Sequence, residues 1–154
     1  MDTIQVQTDD FNVQQHYDAL RQCNHQAGAV VFFVGTVRDM NLDSQVQALE
    51  LEHYPGMTEH SLQQIVAAAR RRWPLLNVRL VHRVGKLSLG EQIVFVGVSS
   101  AHRQAAFEAC HYIMDWLKTD APFWKKEHTH EGPRWLEARA DDQQAKDRWR
   151  DSHE

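Results

Sequence analysis

The sequence predicts an α+β domain built around a mixed sheet, and three observations carry that expectation. Ala29-Val-Val-Phe-Phe-Val34 is an unbroken β-branched and aromatic run of strand length. Val78 to Val84 and Gln92 to Val98 have the same strand character. Between and after them lie two segments whose apolar residues recur at helical spacing. Strands interleaved with helices, with no repeat, low-complexity stretch or linker, argue one domain over residues 1–154.

In chain order, Ile4 and Val6 predict a short edge strand. Val13 to Gln22 reads as a helix, with Val13, Tyr17, Leu20 and Arg21 roughly periodic and Gly28 closing it. The run 29–34 is expected to be a buried central strand that opens into Gly35-Thr-Val-Arg38 and a polar loop, 39–44. Val46 to Tyr54 mixes apolar residues with Glu50 and Glu52, as a half-exposed strand does, and Pro55-Gly56 ends it. Thr58 is the expected N-cap of a helix reaching Arg72, whose Leu62, Ile65, Val66, Ala69 and Trp73 make one face. Arg70, Arg71 and Arg72 suit the negative end of that helix and read as structural.

The strands at 78–84 and 92–98 are joined by a turn, Gly85 to Gly90. Ser99 or Ser100 is then expected to cap a helix running to about Thr119, with Ala106, Ala109, Cys110, Ile113 and Leu117 as its buried stripe. Pro122 stops it, because proline cannot extend a helix and restricts the residue before it. An irregular stretch follows, with a short strand near 134–139 and a polar terminal helix over Asp141 to Trp149.

Composition narrows the class. With 154 residues the chain is long enough to bury roughly 70% of its unfolded surface. A formal charge of −4 leaves no global basic field for nucleic acid or membrane, so any anion site is local. The first ten residues have neither a basic nor an apolar leader region, and no run approaches the 18 or so apolar residues of a membrane span. Cys23 and Cys110 form no CxxC or metal-type pair, and Cys110 falls on an apolar helix face. A reducing cytoplasm is the expected setting.

The chemistry available is cationic. Lys118-Thr-Asp-Ala-Pro-Phe-Trp-Lys-Lys-Glu127 places three lysines around a rigid Pro-Phe-Trp turn where a long helix stops. One lysine ending a helix is ordinary; two more beside an aromatic pair either hold an anion, set one amine up as an acid or base, or form a solvated basic loop. Ser99-Ser-Ala-His-Arg103 puts His102 and Arg103 in the first turn of a helix, where cations are normally disfavoured and where a phosphate or carboxylate would repair the mismatch. Gly35-Thr-Val-Arg38 sets an arginine at the mouth of a strand, suited to bidentate capture of an oxyanion. Arg103 and Lys118 would lie about 22 Å apart along one helix at 1.5 Å per residue. That is too far for one small ligand, so there are two sites, or one site is shared across a symmetric homodimer; we favour the shared site. His128-Thr-His130 has strand spacing but no Cys or carboxylate cluster beside it, so no metal is expected. No P-loop, GxGxxG, GxSxG or HExxH occurs, and no cofactor is expected.

Five ordered motifs resemble the large, catalytic subunits of molybdopterin synthase, the MoaE family. They are Gly35-x-Val-Arg38, Leu51-Glu-His-Tyr-Pro-Gly-Met57, His82-Arg-x-Gly85, Val98-x-Ser-Ala-His-Arg103 and Lys118-x-x-Ala-Pro-Phe-Trp-Lys-x-Glu127. The likeness runs from about Gly28 to Trp149. It implies an α/β-hammerhead fold with an additional small β subdomain. It also implies a sulfurtransferase of molybdenum cofactor biosynthesis, which converts cyclic pyranopterin monophosphate into molybdopterin. The sulfur would arrive as the C-terminal Gly-Gly thiocarboxylate of a small ubiquitin-like carrier bound at each end of a central homodimer, giving a heterotetramer. By position, Lys118 and Lys125 resemble the catalytic lysines. Thr36, Val37, Arg38, His102, Arg103, Lys118, Lys125, Lys126 and Glu127 resemble the substrate-binding positions. Thr36 stands where the family pattern has Lys, and Asp120 where it has a basic residue. Both bear on substrate affinity and on the proton chemistry of the neighbouring groups.

Two other classes stay open on the residues. One is a non-catalytic module that docks a ubiquitin-like tail; retained Lys118, Lys125, Arg38, His102 and Arg103 argue against it. The other is a single-strand nucleic-acid binder using Phe123 and Trp124 for stacking, against which the acidic balance argues.

Overall fold

The computed structural model describes residues 1–22, 25–38, 40–41, 44–129, 132–136 and 149. Its first sheet has the order β1-β5-β7-β2, from β1 (Asp2–Gln7), β5 (Val78–Arg83), β7 (Gln92–Ser100) and β2 (Ala29–Thr36). β1 runs parallel to β5, and the other pairs are antiparallel, so the sheet is mixed as expected. Period-two alternation sorts its side chains. Val78 and Leu80 of β5 and Val94, Val96 and Val98 of β7 pack under α2 (Met57–Arg72) and α3 (Arg103–Asp120). Val81 and Phe95 meet Leu20 of α1 (Val13–Arg21) on the opposite face. The helical stripes read from spacing are the buried ones: Leu62, Ile65, Val66 and Ala69 on α2; Ala106, Ala109, Cys110, Ile113 and Leu117 on α3.

The second sheet is the small β subdomain. It has the order β3-β4-β8-β9, from β3 (Met40–Asn41), β4 (Ser44–His53), β8 (Phe123–Thr129) and β9 (Gly132–Leu136), and β6 (Gly85–Ser88) also pairs with β4. A separate apolar cluster, Val37, Leu49, Leu51 and Leu87, supports it.

Several local expectations are corrected. The run 29–34 is an edge strand, not a central one, with Phe32 and Phe33 40% and 42% exposed; apolar composition reports strand character without reporting who pairs with it. Gly85 to Gly90 is not only a turn: its first four residues are β6. Residues 123–129 are not irregular, because Leu49 to His53 offers them a strand to pair with. Thr58 lies inside α2 and Gly56 is the N-cap, while Ser99 and Ser100 finish β7 and His102 caps α3. Gly28 does not close α1, which ends at Arg21. The strand near 134–139 is β9, ending at Leu136. The terminal helix from 141, Cys23 and His130 lie outside the described residues, apart from Trp149.

Trp149 shows why the arginine run is structural. Arg72 lies 5.2, 5.0 and 5.5 Å from the ring centroids of Trp73, Tyr112 and Trp149. Arg70 binds Asp2 at 2.6 Å and the carbonyls of Leu75 and Leu76. Cys110 is packed under the sheet near the Val96 carbonyl, and burial pushes its thiol up to about 12.

Gly28 is required for a different reason than helix closure. A Cβ there would sit 2.3 Å from the Ala101 carbonyl oxygen, while the Gly28 N–H donates to Ser100 O at 3.0 Å. Gly28→Ala is therefore expected to destabilise the fold by roughly 1–3 kcal/mol through backbone displacement, read as a lowered urea midpoint at unchanged slope.

Candidate active site

Two consecutive elements carry the predicted lysines. α3 carries Lys118 in its last turn, exposed, and ends at Asp120. Pro122 then turns the chain so that β8 begins at Phe123, and Lys125 follows two residues on. β8 is held in register against β4, with Phe123 opposite His53 and Lys125 opposite Leu51. The loop between helix and strand is pinned by Thr58, whose Oγ1 accepts from the Tyr54 N–H at 3.0 Å and donates to the Pro122 carbonyl at 3.2 Å.

Beneath this segment lies His82, which sequence reading placed in a motif but not in the site. It is the last inward residue of β5 on the face shared by Val78 and Leu80, and only 6% exposed. Its ring stacks on Phe123, with centroids 3.8 Å apart and planes 16° from parallel. Nδ1 lies 2.8 Å from the Arg83 carbonyl oxygen. A carbonyl only accepts, so Nδ1 carries the proton and Nε2 keeps its lone pair. Burial pushes this imidazole down to about 3; the charges of Lys118, Lys125 and His53 push the same way, against the Arg83 hydrogen bond. His82 is neutral at any physiological pH. The sequence signal was a histidine two residues after Leu80 and four after Val78, on the apolar face of an alternating strand.

The other predicted residues divide into three groups. Val37 is buried in the cluster with Leu49, Leu51 and Leu87, its N–H bonded to Glu91 O at 3.0 Å and its carbonyl accepting from Gly90 at 2.8 Å. Its side chain and backbone are both engaged, and they anchor exposed Thr36 and Arg38 beside the sheet that carries Lys125. Lys126 follows Lys125 on an extended strand and so points to the other face. It stands opposite Glu50, which is itself opposite Lys86. The His128 Nε2 hydrogen bond at 2.9 Å, with the Lys126 and Lys86 charges, holds the Glu50 carboxyl below its usual range. Glu127 is on β8, opposite Leu49 and Arg134.

His102 and Arg103 form the third group, exposed at the start of α3 with no acidic residue and no side-chain cap in its first turn. The N-terminal amides and two basic side chains make an anion-accepting end. One unbroken helix joins it to Lys118, so the separation of about 22 Å stands. Among the described residues, no group of three or more His, Cys, Asp or Glu side chains is placed to hold a metal ion.

A family model described as MoaE protein matches residues 6–120. The chain belongs to this family. It is 61% identical over 146 residues to the molybdopterin synthase catalytic subunit of Vibrio cholerae, covering 95% of this chain and 97% of that one. A solved structure, the molybdopterin biosynthesis MoaE protein of Burkholderia ambifaria, superposes with a TM-score of 0.83 at 53% identity, covering 97% and 98% of the two chains. A complex of subunits 1 and 2 of molybdopterin-converting factor from Helicobacter pylori shares the fold, with a TM-score of 0.72 at 20% identity over 88% and 91% of the chains. The mixed α+β architecture read from the sequence is that of this family.

The neutral state of His82 has a pH consequence. The unfolded chain protonates this imidazole near its ordinary value of about 6.5, whereas the folded chain resists until about 3. Stability from this group is therefore complete above about pH 6.5 and lost as pH falls through that window, by about 1.4 kcal/mol per pH unit. Buried His16, also held below its ordinary value by burial and by Arg79, adds in the same direction. Urea unfolding between about pH 6.5 and 5 is expected to show a shallower slope for His82→Gln than for wild type.

Proposed function

We propose that this chain is the catalytic subunit of a molybdopterin synthase in molybdenum cofactor biosynthesis. It moves sulfur from the C-terminal thiocarboxylate of a small ubiquitin-like carrier to cyclic pyranopterin monophosphate, building the dithiolene of molybdopterin. The observation that carries the reading is that Lys118 at the end of α3 and Lys125 near the start of β8 both bring their charge to bear on buried His82, whose ring stacks on Phe123. The family relationship supplies the reaction class, and the geometry supplies the means. When the carrier's thioacyl carbon is attacked, its oxygen gains negative charge, and an ammonium held beside it stabilises that charge. The same group can deliver or take a proton as the sulfur changes partners.

Exposed apolar side chains support a protein partner at this end. Tyr54, Met57 and Trp124 surround the start of β8, with the Tyr54 and Trp124 rings 6.4 Å apart. An apolar surface edged by lysines suits a small carrier that threads an extended acidic tail between them. A buried free thiol at Cys110 is compatible with a reducing cytoplasm. No helix among the described residues is long and apolar enough to cross a membrane.

A second copy of the chain completes the site in this reading. The anion end at His102 and Arg103 belongs to the pterin phosphate, and the neighbouring protomer brings it to Lys118. Thr36, Arg38, Lys126 and Glu127 are the further substrate contacts the family pattern assigns. The free edge of β2, with Phe32 and Phe33, and the 62% exposed Phe107 of α3 give that copy apolar surface to bury.

Single-turnover conversion of the pterin by this chain and a thiocarboxylated carrier tests the activity. Wild type is expected to form product, and Lys118→Ala to lose roughly 10²–10³-fold in rate with fold and assembly kept. Product from neither, with the carrier still bound, would instead favour the docking-module reading. Phe33→Glu is expected to give a monomer by light scattering and to lose turnover with it. A monomer that remained fully active would refute the shared site.

A further inference from the structure

We propose that Glu91 is a positioning residue for the pterin site: its carboxylate closes the turn that clamps the Val37 backbone, and that clamp sets where Arg38 stands. The inference rests on the reading of Arg38 as a substrate contact and extends it to a residue outside the five motifs.

The β2–β7 ladder does not itself hold Arg38. Its register shifts between Gly35 and Thr36, and Thr36 is the last residue of β2. Beyond that point the backbone is held by the turn between β6 and β7, Ser88 to Glu91. The Val37 N–H donates to the Glu91 carbonyl at 3.0 Å, and the Val37 carbonyl accepts from the Gly90 N–H at 2.8 Å. Both backbone polar groups of the residue before Arg38 are thus engaged by this one turn. The Val37 side chain is buried with Leu49, Leu51 and Leu87, while Arg38, next along, is exposed.

Glu91 closes the turn from two sides. Its N–H donates to the Ser88 carbonyl at 3.1 Å, and its Oε2 accepts from the Ser88 N–H at 2.6 Å. Gly90, at φ 84, takes the third position of the turn, where a positive φ favours glycine. The other carboxylate oxygen accepts from Arg83 Nη1 at 3.3 Å. Arg83 is buried and also donates to the carbonyls of Thr8 and Gln92, so the turn is tied to the end of β1 and the start of β7. Hydrogen bonds to an ionised carboxylate are the stronger kind. The Ser88 N–H, more than any other group, holds the Glu91 carboxyl below its usual range, so the clamp keeps its charge at neutral pH. A charge that merely stabilised the fold would act on every step of turnover alike. Glu91 is joined by an unbroken series of hydrogen bonds to the strand end that carries Arg38, so its effect falls on pterin binding and not on the chemical step.

Single-turnover conversion at increasing pterin concentration, with thiocarboxylated carrier in excess, separates those two effects. Glu91→Ala is expected to raise the half-saturating pterin concentration about fivefold and to leave the maximal rate within about twofold of wild type. Glu91→Gln still offers an oxygen to the Ser88 N–H and is expected to recover most of the affinity. In an Arg38→Ala background, Glu91→Ala is expected to add little, because the residue it positions is gone. Unchanged half-saturation in Glu91→Ala overturns the proposal, as does an equal loss with and without Arg38, or no recovery by Gln.

Amide hydrogen exchange reads the clamp without turnover. Glu91→Ala is expected to speed exchange at the Val37 and Gly90 N–H groups by about tenfold or more, while Val96 in the core of β7 keeps its protection. Wild-type protection at Val37 overturns the proposal. Should the alanine variant not fold, Glu91→Asp, which withdraws the charge from Ser88 by one methylene, takes its place in both measurements with the same overturning results. Wild-type turnover and the affinity lost in Arg38→Ala are the controls. Failure of either counts against the functional reading, and the exchange measurement still decides whether Glu91 holds Val37.

Discussion

The hydroxyl of Thr58, fully buried, ties four pieces of chain together at one corner. It takes the Tyr54 N–H from the end of β4 and gives its own hydrogen to the Pro122 carbonyl, between α3 and β8, while itself sitting in the first turn of α2. Both partners are backbone groups that helix and strand leave unpaired: Pro122 has ended α3, and Tyr54 has left the β4 ladder. The relative placement of Lys118 and Lys125 depends on this joint, because one residue lies before the Pro122 turn and the other after it. The Glu59 carboxylate, which accepts from the Gly56 N–H at 2.9 Å, closes the same corner from the outside. The lysines thus stand on a helix end and a strand that meet at a fixed angle, and a rigid support of this kind is what a charge-stabilising site requires.

The alternation of β8 decides how the positive charge is spent. Were Lys125 and Lys126 on a loop, both could gather round one anion, and their mutual repulsion would have to be met there. On a strand they part. Lys125 joins the side of Leu51, Phe123 and His82, whereas Lys126 faces Glu50, with Lys86 beyond it and His128 beside it. Cross-strand pairing offsets the Lys126 charge on the outer face, and Lys125 stands on the other face with Phe123. The neutral imidazole below matters for the same balance, since a protonated His82 would add a third cation at a place where burial already forbids it.

Sequence reading recovered the fold class, both long helices with their buried stripes and most strands, because those features depend on periodicity within one segment. It misplaced what depends on partners elsewhere in the chain. The run 29–34 reads the same whether a neighbour lies on one side or two. Residues 85–88 and 123–129 are too polar to announce strands, and become so only because β4 lies between them. Ser99 and Ser100 have the right chemistry for caps, yet their hydroxyls serve Asn77 N–H and the Pro74 carbonyl instead. For the candidate site, residue types and motif order singled out Lys118, Lys125, Arg38, His102 and Arg103. What they did not show was that Val37 is engaged on all sides, that Lys126 faces away, or that His82 lies under Phe123, each a matter of which face a strand presents.

α3 acts as a ruler in this design. Its buried stripe runs unbroken from Ala106 to Leu117, so the helix cannot bend to bring Arg103 towards Lys118 without opening the core it shares with α2 and β7. One end offers first-turn amides, an imidazole and a guanidinium; the other offers lysines and the exposed side chains of Tyr54, Met57 and Trp124. The reaction proposed above, between a phosphate-bearing substrate and a macromolecular sulfur donor, would use these two kinds of end and would need them to meet within bonding distance. A monomer holds the two about 22 Å apart. In the homodimer proposed above, a two-fold axis setting the helices antiparallel would bring one protomer's anion end to the other's lysine end, and would do so twice at once, since each residue pair made across a two-fold axis is made again by symmetry. In that proposed assembly, the rigidity that separates the groups within one chain would make their meeting between two chains specific.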